Sequence, residues 1–118
     1  MTTREEQITL LVAVAEEGDV DAFTEVLIAN LEVIDGKGVM YGGGTALMKA
    51  SYRGHTAIVQ LLLDHGAQVD IQDNGGETAL MSVVESSRFG AIQLLMKHKA
   101  LLSVNNAVLA EYYTNFSS

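Results

Sequence analysis

Thr45-Ala46-Leu47-Met48 returns letter for letter as Thr78-Ala79-Leu80-Met81, 33 residues later. Working outward, Thr45–Ala67 aligns with Thr78–Ala100. Identities continue at Gln60/Gln93, Leu61/Leu94, Leu62/Leu95, His65/His98 and Ala67/Ala100, and Val59/Ile92 and Leu63/Met96 are similar. The matches fall in two clusters of helical spacing. An echo at a fixed period of this length marks a repeat architecture. Such chains act through the surface their units build together, so the expectation is an interaction module, not one catalytic constellation.

Bulk properties agree. The chain has 118 residues, the size of one small domain. Its apolar fraction is 48%, with three Phe, four Tyr and no Trp, so the core is aliphatic and suits stacked helices. No run approaches the 18 apolar residues of a membrane span, and Met1–Glu6 lacks the layout of a signal peptide. With no cysteine there is no disulfide, thiolate nucleophile or cysteine-held metal. A reducing, intracellular and cytoplasmic setting is expected. Charge is uneven: residues 1–35 carry nine acids against Arg4 alone, and the remaining 83 residues carry six of each sign. The net charge of −8 therefore sits in the first third. That field repels nucleic acid and anionic lipid and steers basic partners.

The units are clear from Thr45. A helix is expected over 46–52, broken by Gly54, and a second over 56–65, ended by the left-handed cap residue Gly66. Asp70–Glu77 is turn chemistry, with Asn74-Gly75 its strongest signal. The set Gly43–Leu47, Ala50, Gly54-His55, Ile58-Val59, Leu61–Leu63, Gly66-Ala67, Val69, Asp73, Gly76 and Thr78–Leu80 resembles the ankyrin repeat. The resemblance implies an all-α solenoid of helix-turn-helix pairs joined by β-turn or hairpin fingers. Aligning Gly18 with Gly54 yields a first unit, with Thr9–Val12 on the Thr-Ala-Leu-Met slot and Asn30 on the cap slot of Gly66. The expected layout is one domain: repeat one at about 8–34, a lengthened finger 35–44, repeat two at 45–72, repeat three at 73–104, and a capping helix at 106–116. The family favours Pro and His at the second and fourth motif positions. Here Ala46, Ala79, Met48 and Met81 stand there, so methionine packing replaces a histidine network. Ser87 and Lys99 replace glycines in repeat three, which should be the softest unit.

The glycine-rich run Asp35–Thr45 follows the strand-like Leu31–Ile34 and precedes a helix, an order that suits phosphate binding. It lacks the GxxxxGK[ST] spacing, so a nucleotide-binding enzyme using Gly36–Thr45 is the weakest reading and a lengthened finger the better one. His55, His65 and His98 have no carboxylates at ligand spacing, and no nucleophile–base order is present. No enzyme activity, cofactor or metal is expected. The resemblance places partner binding on the concave face and fingers. Carried over by position, the residues are Glu16, Glu17, Met40, Tyr41, Tyr52, Arg53, Asn74, Glu77, Glu85 and Ser86. The expected function is a scaffold or adaptor docking a basic protein or peptide. The alternative is a self-associating module that pairs two copies through Val108–Phe116, so the protein is either a monomer or a homodimer.

Overall fold

The computed structural model describes residues 2–98. Six α-helices follow one another among them: α1 (Arg4–Glu17), α2 (Val20–Ala29), α3 (Ala46–Arg53), α4 (Thr56–Asp64), α5 (Ala79–Ser86) and α6 (Phe89–Lys97). They form three antiparallel pairs. The first helices stack as α1, α3, α5 and the second as α2, α4, α6, with fingers between successive pairs. No described helix is long and apolar enough to cross a membrane.

The repeated quartet explains itself locally. The Thr45 and Thr78 hydroxyls accept from the amides of Met48 and Met81, capping α3 and α5. Leu47 and Leu80 then point into the core, and Ala46 and Ala79 are small enough to sit buried where neighbouring units meet. Phe23, Val59 and Ile92 fill one repeated slot of the second helices, and Leu27, Leu63 and Met96 another. These residues share one continuous aliphatic core, as a solenoid requires. Met48 is buried in it, while Met81 is only half-buried.

Repeat one departs from the expected boundaries. Its register holds, with Leu11, Val12 and Ala15 buried, but Thr9 is not the cap. The helix starts at Arg4 because Thr3 and Glu6 form a reciprocal capping box, with both bonds at 3.1 Å. The Thr3 N–H, then its hydroxyl, holds the Glu6 carboxyl below its usual range. Asn30 is not a left-handed cap either, since its φ is −136°. Its amide bridges two helices instead, accepting from Gln7 Nε2 at 2.9 Å and donating to the Val26 carbonyl at 2.7 Å. Leu31–Val33, strand-like in sequence, is a 3₁₀ turn. Leu31–Ile34 has no strand to pair with among the described residues, and i→i+3 bonds satisfy its backbone. The expected capping helix 106–116 and Lys99 lie outside the described residues.

One slot locks neighbouring units together. After α1 the chain turns through Gly18 (φ +85°), and His55 of the next unit lies over that glycine. Its Nε2 donates to the Glu16 carbonyl at 2.9 Å. The pattern recurs one unit on, where Arg88 lies over Gly54 (φ +75°) and its Nε donates to the Tyr52 carbonyl at 3.2 Å. A carbonyl left over at a helix end thus becomes the acceptor that sets the stacking distance.

Candidate functional site

The fingers fix the site. In the first finger, Gly38 and Gly44 form an isolated antiparallel bridge around the 3₁₀ turn Val39–Tyr41. The amides of Gly38, Tyr41, Gly43 and Gly44 all donate to carbonyls of this same loop. None of these four is available to cradle a phosphate, so the geometry does not suit the nucleotide-loop reading. In the second finger the Asp73 carboxylate accepts from the amides of Gly75 and Glu77, each at 2.9 Å. This closes an Asx-type turn. The Asn74 amide then donates to the Gly42 carbonyl at 2.9 Å, pinning one finger to the other.

Between α3, α5 and the second finger lies a groove of about 150 Å³ lined by Met48, Lys49, Tyr52, Asp73, Glu77, Ser82 and Glu85. Lys49 and Ser82 occupy one repeat slot, and Tyr52 and Glu85 another, three residues further along the same helix face. One lysine faces three carboxylates here, so the lining carries a net negative charge. Glu77 registers the crowding. Its carboxyl is pushed above the ordinary range by burial first, then by the charges of Glu85 and Asp73, against the smaller opposing pull of Lys49. At the rim, Arg53 Nη2 stands 3.8 Å from Glu16 Oε1 and its guanidinium 5.9 Å from the centre of the Tyr52 ring. Lys49 Nζ stands 5.8 Å from the Tyr41 ring. Arg53 is exposed and Lys49 half-buried, and at these distances neither cation is held tightly.

The ten residues named from sequence separate into groups. Tyr52, Glu77 and Glu85 line the groove; Glu16 and Arg53 form its rim; Tyr41 adjoins through Lys49; and Asn74 stands at the tip of the second finger. Glu17 is exposed at the end of α1. Ser86 turns back, donating its hydroxyl to the Ser82 carbonyl at 2.9 Å. Met40 faces a different groove beside α1. Sequence reasoning missed Met48, Lys49, Asp73 and Ser82. Helical spacing could have found Lys49 and Ser82, each three residues before a named one, whereas Asp73 read only as a turn former.

Comparison with known proteins agrees with the architecture. A family model described as ankyrin repeats (3 copies) matches residues 4–106. No curated protein matches the chain in sequence. Among solved structures, the chain is similar to one in the complex of a predatory endopeptidase from Bdellovibrio bacteriovorus with an immunity protein. That likeness has a TM-score of 0.70 and 27% identity, over 82% of this chain and 47% of the other. The present chain thus matches less than half the length of that one. With three copies of the unit matched over most of its length and the same unit visible in its helices, the chain belongs to the ankyrin-repeat family.

Proposed function

We propose that this protein works by binding, not catalysis, and that the groove between α3, α5 and the second finger receives a lysine- or arginine-bearing segment of a partner protein in the cytoplasm. The observation that carries the reading is the composition of that groove: Tyr52 as an aromatic wall, with Asp73, Glu77 and Glu85 supplying carboxylates. A cationic side chain entering it would lie along Tyr52 and offset the burial, and with it the repulsion from Glu85 and Asp73, that hold the Glu77 carboxyl up. The acid excess of residues 1–35 supports the same choice of partner, because it speeds the approach of a basic chain. The structural neighbour, taken from a complex of two proteins, is further support for a protein ligand.

Selection of a random dodecapeptide library on the purified protein tests the reading. Enriched peptides should share a lysine or arginine at a fixed position and bind the Glu77→Gln/Glu85→Gln double variant at least about tenfold more weakly, the size of one or two charge-assisted contacts. Enriched peptides without a basic residue, or with equal affinity for the double variant, would sink it.

A further inference from the structure

We infer that the outward face of repeat one, formed by α1 and the first finger, is a second docking surface, one that takes an amphipathic segment with an apolar ridge and basic flanks. The groove there has a volume of about 580 Å³, and its lining includes Glu5, Glu6, Leu10 and Ala13 of α1 together with Val39 and Met40 of the first finger. Leu10 is 47% exposed, Val39 69% and Met40 81%. Single exposed apolar side chains are ordinary on a protein surface, but three around one groove form a patch.

Comparison between units shows what this face is adapted to. The slot of Leu10 is Ala46 in repeat two and Ala79 in repeat three, both buried in the stack. The slot on repeat one thus carries the largest apolar side chain of the three, and it is the exposed one. The slot of Ala13 is Lys49 and Ser82 in the other units, so repeat one is apolar where they are polar. The first finger adds to the patch from the other side, because its 3₁₀ turn holds Val39 and Met40 beside α1 instead of folding them inward.

Charge decides the occupant. Glu5 and Glu6 sit on this groove, and Arg4 is the one base among residues 1–35 against nine acids. A second copy meeting the same face would set that field against itself, which opposes association. A partner with lysines or arginines flanking its apolar ridge meets both features at once, with leucine-type side chains along Leu10, Val39 and Met40 and cations beside Glu5 and Glu6. Helical anchors at i, i+3 or i+4, and i+7 match an open groove of this kind.

The absence of tryptophan gives a clean readout. The probe is an 18-residue helical peptide of leucine, lysine and alanine with one tryptophan on its leucine ridge, followed by its emission. Saturable binding with a blue shift is expected, weakened at least tenfold by Leu10→Gln/Met40→Gln and several-fold by Val39→Gln alone. The thermal midpoints of these variants should be unchanged, since the side chains are exposed. The Glu77→Gln/Glu85→Gln variant should bind the probe as the parent does, which separates this surface from the groove at α3 and α5. Parent-like binding by Leu10→Gln/Met40→Gln overturns the proposal, as does loss of binding in Glu77→Gln/Glu85→Gln. Equal affinity for a peptide with glutamates in place of the lysines overturns the basic partner. Sedimentation showing a parental dimer that Leu10→Gln/Met40→Gln dissolves assigns the face to a second copy instead.

Discussion

Ser51 is the residue at which this core is least well served. Its hydroxyl is wholly buried on α3 and bonds to no group among the described residues. Ala15 and Val84 fill the same slot in the neighbouring units, so the position makes no demand for a polar atom. A buried hydroxyl left unpaired costs about 1–3 kcal/mol, and removing one oxygen leaves almost no cavity. Ser51→Ala should therefore raise the unfolding free energy by about 1 kcal/mol, measured by urea denaturation; a loss of stability would mean that the hydroxyl has a partner. The two glycines under the inter-unit locks offer a sharper comparison. A Cβ on Gly54 meets the flexible Cδ of Arg88 at 2.8 Å, whereas one on Gly18 meets Cε1 of the His55 ring at 2.5 Å. Both glycines have a left-handed φ, so each alanine carries that strain of about 1–2 kcal/mol. The arginine can swing aside, but the ring is held by its bond to Glu16. Gly54→Ala should cost about 1–2 kcal/mol and Gly18→Ala about 3 kcal/mol. Equal losses in denaturant titrations would show that the ring yields as easily as the arginine.

At the scale of elements, the helices of repeats two and three were legible because each carries its own punctuation. Thr45 and Thr78 open the first helices, and Gly54 and Gly66 close helices through left-handed turns at C′. Repeat one was legible only in register. Its start depends on Thr3 and Glu6, outside the aligned period, and the backbone of Asn30 does not adopt the conformation its position suggested. The groove was half legible. Tyr52, Glu77 and Glu85 follow from the family's surface positions, but the proximity of Asp73 to them is set by how the finger folds back, which no local pattern encodes. Repeat three repeats the inter-helix turn of repeat two with a worse residue. Ser87 adopts φ 57°, and its amide and that of Arg88 close the same bonds that Gly54 and His55 close one unit earlier. Relief of left-handed strain exceeds the entropy glycine gains in the unfolded chain, so Ser87→Gly should stabilise by about 0.5 kcal/mol. Slower hydrogen exchange in α5 and α6 than in the parent is the local signature. No change, or faster exchange, would remove this turn as a source of weakness.

At the scale of the whole molecule, the sequence after residue 35 is neutral and an acidic unit stands in front of it, and the crowded carboxyl of Glu77 lies where the units meet the fingers. Glu77 is pushed up by burial and by Glu85 and Asp73, so the folded state holds that proton more tightly than the unfolded chain does. For a raised carboxyl the sign runs opposite to the usual acid. As pH rises from the unfolded value through the folded one, the folded state must give up a proton it prefers to keep, and stability falls. Glu77→Gln removes that penalty. The variant should be more stable than the parent at pH 7, and the two should converge as pH falls through the folded pKa to the ordinary glutamate range near pH 4. A cation bound in the groove acts in the reverse direction. It favours the ionised carboxylate, so binding releases a proton within that window and a basic peptide should lose affinity as pH falls through it. Calorimetry in two buffers of different ionisation enthalpy measures the released proton directly, and Glu77→Gln should abolish the component tied to this carboxyl. A parent and a variant with parallel stability curves between pH 4 and 7 would place the source of the groove's charge elsewhere than Glu77.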